Sequence, residues 1–142
     1  MSTPSVPASA QSRRAALPRQ RLVRGILELD AAVTGANGLV YLAAAGALDS
    51  LLGVPAGLLR SLGVFLIVFA AILWFLAKRP HVSPAVVRGV AAGNVAWTLA
   101  SIVFVLADVY SPSTVGAVWI GLQAVVVAVF AGVQLVVARD AS

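Results

Sequence analysis

The chain has 142 residues, of which 61% are hydrophobic and 11% are charged, and its formal net charge is +5. Soluble domains contain about 25% charged residues, so this composition indicates a membrane protein. Cysteine is absent, which excludes disulfides, thiolate-bound zinc and iron–sulfur clusters, and the single histidine, His81, lies in a short connecting loop. We therefore expect no catalytic residue, no metal site and no cofactor.

The first 24 residues are rich in Ser, Pro, Ala and Arg and contain little that a folded core would bury. Such a composition predicts a disordered basic tail. Five arginines in this segment are sufficient to attract anionic lipid headgroups, so the net positive charge requires no nucleic-acid partner.

Four long apolar runs follow, at residues 25–47, 55–77, 84–109 and 114–138. A helix rises 1.5 Å per residue, so each run is long enough to cross a hydrocarbon core of about 30 Å. Lipid offers no partner to backbone amides, so apolar runs of this length must be helical. The sequence predicts an all-α membrane protein, a four-helix transmembrane bundle formed by residues 25–142.

The basic residues are distributed asymmetrically between the two ends of the predicted bundle. Nine of the ten lie before span 1, around the connection between spans 2 and 3, or after span 4, and only Arg60 lies on the other side. The positive-inside rule then predicts a multi-pass protein with both termini cytoplasmic and the 48–54 loop external. Nine of the ten basic residues are arginine, and Ala and Val dominate the rest, as in proteins of GC-rich bacteria, so we expect the membrane to be a bacterial cell membrane.

The four spans resemble a duplicated hairpin. Residues 37–43 (NGLVYLA) are similar to residues 94–100 (NVAWTLA), and residues 68–71 (VFAA) are similar to residues 129–132 (VFAG). Both hairpins would enter from the same side, as in parallel repeats. The alternative is chance similarity, because Ala and Val are abundant in every span.

Polar residues recur at helical spacing and form stripes in three of the spans. The stripes are Asp30, Thr34, Asn37 and Tyr41 in span 1, Asn94, Thr98, Ser101 and Asp108 in span 3, and Gln123 and Gln134 in span 4. Asn37, Asn94 and Gln123 each lie roughly 14–18 Å from the start of their span, near the middle of the bilayer. We expect these three amides to meet inside the bundle, because an amide that faces lipid has no hydrogen-bond partner.

Two interpretations of this polar interior remain open. The favoured one is that the amides, together with Thr34, Thr98 and Ser101, form hydrogen bonds that hold the helices together. The other is a polar site or pathway for a small solute or a proton, formed by the same residues.

The carboxylates within the spans predict ion pairs. Asp30 lies at a similar depth to Arg88, and Asp108 shares the opposite layer with Arg60, so we expect the pairs Asp30–Arg88 and Asp108–Arg60. A proton relay through these carboxylates is the less favoured interpretation.

Small residues indicate where helices approach closely. Gly89 and Gly93 form a GxxxG motif in span 3, and Gly35 and Gly38 lie beside Asn37 in span 1. A row of small residues in span 4 comprises Ala124, Ala128 and Gly132. Such motifs support packing either within one subunit or between subunits.

The segments at residues 29–38 (LDAAVTGANG) and 52–60 (LGVPAGLLR) resemble small, uncharacterised four-span integral membrane proteins of GC-rich bacteria, with a layout loosely similar to that of DoxX-like proteins. The resemblance covers spans 1 and 2 best. It implies the four-span topology and brings no catalytic signature.

Three classes of function are compatible with these features. The favoured class is a non-enzymatic membrane protein that acts as an accessory, assembly or interaction subunit, in a homo-oligomer or with another membrane protein. The second is a small transporter or channel subunit, which requires oligomerisation because one bundle of this size has little room for a pore. An intramembrane enzyme is the least favoured, because the sequence offers no nucleophile–base or metal constellation.

Overall fold

The computed structural model describes residues 7–140, and this part of the chain forms five helices. They are α1 (Ala8–Ala43), α2 (Ala45–Leu52), α3 (Ala56–Ala77), α4 (Pro84–Leu106) and α5 (Thr114–Arg139). Four of them, α1, α3, α4 and α5, are long and apolar enough to cross a membrane. The predicted all-α bundle with four spans is therefore confirmed.

The predicted disordered tail is wrong for residues 8–24, which form the first part of α1, while residues 1–6 lie outside the described residues. With 36 residues, α1 is about 54 Å long and extends well beyond a hydrocarbon core of about 30 Å. This extension continues as helix because Ala, Leu, Arg and Gln favour helix and because its polar side chains bond to the rest of the bundle.

A short helix occupies most of the predicted external loop. After a break at Ala44, α2 runs from Ala45 to Leu52 and ends at Gly53, whose φ of 69° is the left-handed conformation that glycine adopts most readily. At the same end of the bundle α4 stops at Leu106, three residues before the predicted end of span 3.

Serine caps fix the starts of the last two helices. The Ser83 hydroxyl accepts a hydrogen bond from the Val86 amide, directly before Pro84 at the first position of α4. Similarly, the Ser113 hydroxyl accepts from the Gly116 amide at the start of α5. The same hydroxyl donates to the Leu51 carbonyl at 2.7 Å, which fastens α5 to the last turn of α2.

The helices pack as two pairs, α1 with α3 and α4 with α5, while α2 contacts α3 and α5. The α1–α3 pair is closest at Gly38 and Gly63, where a Cβ added to either glycine would lie 2.9 Å from the other's carbonyl oxygen. Two helix pairs fit the arrangement that a duplicated hairpin would have. The duplication itself stays a prediction.

The glycines of the GxxxG motif in α4 do not form a close contact with another helix. An added Cβ at Gly89 would meet nothing within 4 Å, and one at Gly93 would meet only the Phe69 ring at 3.7 Å. Between α3 and α4 a crevice remains, which is bridged by the stacked rings of Phe65 and Trp97 with centroids 5.7 Å apart.

Candidate functional site

A buried carboxylate lies inside the bundle, in what we call the carboxylate cluster (Asp30, Thr34, Asn94 and Gln134). Asp30 is 1% exposed, and its Oδ2 accepts hydrogen bonds from Gln134 Nε2 at 2.7 Å and Asn94 Nδ2 at 2.8 Å. Its Oδ1 accepts from the Thr34 hydroxyl at 3.1 Å. The two amides also bond to each other, from Asn94 Nδ2 to Gln134 Oε1 at 3.1 Å. Three helices, α1, α4 and α5, are thus joined at one point.

The chemistry of this cluster is that of a carboxylate solvated by neutral donors. A buried carboxylate is costly in an apolar medium unless its oxygens accept hydrogen bonds. Two amides and one hydroxyl supply three such bonds here. The arrangement can hold a negative charge within the bundle, and it fixes the relative positions of the three helices that supply the donors.

A second group, the amide cluster (Asn37, Tyr41, Trp119 and Gln123), connects α1 to α5. Gln123 Nε2 donates to Asn37 Oδ1 at 3.1 Å and to the Tyr41 hydroxyl at 2.9 Å. The Trp119 indole also donates to that hydroxyl, at 3.1 Å. Tyr41 is buried, so its hydroxyl obtains the polar partners that a buried phenol requires.

The predicted meeting of three amides is confirmed for Asn37 and Gln123 and wrong for Asn94. Asn94 bonds to Asp30 and Gln134 instead. Distance from the start of a span does not fix the height of one helix relative to another, and the packing of the helices places Asn94 level with Asp30. Asp30 and Asn37 are seven residues apart on α1, which separates the two clusters by about 10 Å along the helix.

Thr98 and Ser101, both predicted members of the polar interior, bond to backbone carbonyls. The Thr98 hydroxyl donates to the Asn94 carbonyl at 3.0 Å, and the Ser101 hydroxyl donates to the Trp97 carbonyl at 2.8 Å. Hydroxyl side chains in helices commonly bond four residues back in this way. Thr98 also reaches the Ala124 carbonyl of α5 at 3.4 Å, so it adds one contact between α4 and α5.

Neither predicted ion pair forms. Within residues 7–140 the one ion pair is Lys78–Glu28, which is exposed and has an Nζ–Oε1 distance of 2.7 Å. Arg88 lies six residues, about 9 Å along α4, before Asn94, the residue that bonds Asp30, and it is therefore not level with Asp30. Arg88 Nη2 donates to the Ala138 carbonyl at 3.5 Å.

Asp108 lies beyond the end of α4, exposed, and accepts a hydrogen bond from the Ser111 hydroxyl at 3.4 Å. Its expected partner, Arg60, is exposed near the start of α3. Arg60 and Asp108 form no direct bond with each other. The effects of substituting them on the free energy of unfolding should therefore be additive.

Sequence reasoning did not find the polar contacts at the basic end, by which we mean the end of the bundle that holds residues 78–83 and the end of α5. Arg19 Nη2 donates to the Val137 carbonyl at 2.7 Å, and Gln20 exchanges bonds of 3.3 and 3.1 Å with the Val82 backbone. Arg24 Nη2 donates to the Pro80 carbonyl. The signal for these contacts was the uninterrupted helical composition of residues 19–24, which the tail interpretation overlooked.

The crevice between α3 and α4 has a volume of about 340 Å³ and reaches the carboxylate cluster. Its lining residues are Thr34, Phe65, Leu66, Phe69, Gly93, Asn94, Ala96, Trp97 and Ala100. A smaller cavity of about 130 Å³ lies nearer α2 and borders Tyr41 and Gln123 of the amide cluster. Each polar cluster therefore lies beside one cavity.

Comparisons with protein-family models, with curated proteins and with solved structures find no match to this chain. The resemblance of spans 1 and 2 to small four-span proteins therefore stays a prediction. The class that the fold defines is a multi-pass helical membrane protein.

Proposed function

We propose that this chain is a non-enzymatic integral membrane protein that acts as an accessory, assembly or interaction subunit in a bacterial cell membrane, with both termini cytoplasmic. The observation that carries the proposal is that the polar side chains of the stripes form hydrogen bonds between helices. Asp30, Asn94 and Gln134 bond mainly to one another across three helices, as do Asn37 and Gln123 across two. Polar groups engaged in this way hold a bundle together.

The outer face of α5 offers a second helix a close approach. Gly121, Ala128 and Gly132 are exposed, and an added Cβ at either glycine would meet nothing within 4 Å. Residues eleven apart lie on the same face of a helix, and small residues there allow a second helix to approach closely. The occupant is a helix of a partner membrane protein or of a second copy.

Native mass spectrometry of the protein, purified from its own membrane into lipid nanodiscs, tests this proposal. The wild type is compared with Gly132→Leu and with Gly89→Leu, a matched control whose glycine is equally open but lies on α4. We expect a stable complex in the wild type and in Gly89→Leu, and its loss in Gly132→Leu. A wild type that is monomeric and without partner contradicts the proposal.

A second function, a small oligomeric transporter, is favoured by one observation, the fully buried Asp30 carboxylate. In the described part of the chain its hydrogen-bond partners are neutral side chains only. Ionisable groups inside membranes often belong to proton pathways.

Proton flux into liposomes that contain the protein, measured with an entrapped pH-sensitive dye, separates the two functions. Asp30→Asn keeps the shape of the side chain and removes its charge. A flux in the wild type that Asp30→Asn abolishes supports the transporter. Equal dye traces for wild type, variant and empty liposomes support the subunit role.

A further inference from the structure

The crevice between α3 and α4 opens within the membrane-spanning part of the bundle. Its mouth is formed by exposed residues, Phe65 on α3 and Gly93, Ala96 and Ala100 on α4. Its floor includes Asn94, the eleventh residue of α4, which lies about 15 Å from the start of that helix. A molecule would therefore enter from the hydrocarbon of the bilayer and not from water.

The floor of the crevice presents an unused hydrogen-bond acceptor. Both hydrogens of Asn94 Nδ2 are engaged, one with Asp30 and one with Gln134. The Asn94 Oδ1 atom accepts no hydrogen bond from any residue between 7 and 140, although the side chain is 97% buried, its exposure being 3%. An amide oxygen without a donor is unfavourable in hydrocarbon.

This oxygen is accessible, and its residue lines the crevice. Of the side-chain polar atoms in the described residues, the one that is fully enclosed and without a partner is Arg24 Nε, so Asn94 Oδ1 is not fully enclosed. Asn94 itself lines the crevice. The oxygen is therefore placed to accept a bond from a molecule bound there.

We propose that the crevice binds an uncharged, lipid-soluble alcohol whose hydroxyl donates to Asn94 Oδ1 and whose apolar body packs against Phe65, Phe69 and Trp97 in the lining of the crevice. Thr34, beside Asn94, also offers an oxygen, because its hydrogen is donated to Asp30. These two hydrogen-bond acceptors at the floor of the crevice favour a ligand that carries a hydrogen-bond donor.

Charge and size limit the ligand further. The Asp30 carboxylate, 2.8 Å from Asn94 Nδ2, would repel an anion, and it does not line the crevice itself to receive a cation. A volume of about 340 Å³ is at the lower end of the range for small-molecule sites, which suits a short-chain alcohol or the head of a longer one.

Quenching of Trp97 fluorescence by a brominated alcohol tests the proposal. The double variant Trp74→Phe, Trp119→Phe has Trp97 as its sole tryptophan. The two probes are 6-bromohexan-1-ol and its methyl ether, which lacks the hydrogen that the alcohol would donate. At equal membrane concentrations we expect saturable quenching by the alcohol, with an affinity about 2- to 10-fold higher than that of the ether. Equal affinities for the two probes overturn the proposal.

Matched glycine variants control for unspecific partition of the probe into lipid. Gly93→Leu fills the crevice, whereas Gly89→Leu, one turn away, leaves it open. We expect the saturable quenching to be lost in the first and kept in the second, and its persistence in Gly93→Leu overturns the proposal.

Native mass spectrometry of the unsubstituted protein with either probe gives the same contrast without any variant. Preferential 1:1 adducts with the alcohol support the site. If no adduct forms and Gly93→Leu instead disrupts a protein complex, a partner helix covers the crevice and the proposal is wrong.

Discussion

Replacing Asn94 or Gln134 by leucine tests the carboxylate cluster through the number of hydrogen bonds that each amide makes. Asn94 bonds Asp30 and Gln134, and Gln134 bonds Asp30 and Asn94, so the two amides share one bond and make three in total. An interhelical hydrogen bond in a membrane contributes about 1 kcal/mol. Each single substitution should therefore lower the free energy of unfolding by about 2 kcal/mol.

The double variant is the informative one. Two independent substitutions would lower the free energy of unfolding by about 4 kcal/mol, but the shared Asn94–Gln134 bond is lost only once, so the double variant should lose about 3 kcal/mol. The coupling of about 1 kcal/mol is the contribution of the shared bond. Asn94 is 3% exposed and Gln134 is 0% exposed, so water does not replace the lost hydrogen bonds and the whole contribution of each bond should be lost.

The measurement is reversible unfolding in mixed micelles of mild detergent and sodium dodecyl sulfate, followed by tryptophan fluorescence. Val133→Leu, on the neighbouring lipid-exposed position of α5, is the control and should leave the transition unchanged. Strict additivity would show that the two amides do not bond to each other. Single variants as stable as the control would refute the reasoning that the cluster holds the helices together.

Two further predictions concern topology and helix packing. Single cysteines introduced at Ser50 and His81 should react differently with an impermeant maleimide in intact cells, since the sequence has no other cysteine. Ser50→Cys should be labelled directly, and His81→Cys only after the membrane is permeabilised. The reverse pattern contradicts the predicted orientation. Gly38→Ala should lower the free energy of unfolding by about 1–3 kcal/mol, because its Cβ would lie 2.9 Å from the Gly63 carbonyl oxygen. Gly25→Ala, where an added Cβ meets nothing within 4 Å, should raise it by about 0.5–1 kcal/mol, and equal effects of the two substitutions would contradict the close α1–α3 contact.

The number of spans and the inward-facing stripe of span 1 were determined by the sequence alone. Apolar runs of more than twenty residues cannot satisfy their backbones in lipid except as helices, so the four spans required no tertiary information. Helical periodicity likewise placed Asp30 and Tyr41 on one face of span 1, and both are buried. These features depend on residues close together in sequence.

Which polar side chains meet was decided only by the tertiary structure. Periodicity fixes the face of a helix but not its height relative to its neighbours, so Asn94 bonds Asp30 and Gln134 and not Asn37 or Gln123. That relative height follows from packing contacts such as the close approach of Gly38 and Gly63.

The same holds for the helical extension of α1, which is fastened by bonds from Arg19 and Gln20 to residues more than sixty positions away. The crevice and the open oxygen of Asn94 depend likewise on where α3 and α4 separate. No local pattern encodes that separation, because it results from the side-chain volumes of all the helices packing together.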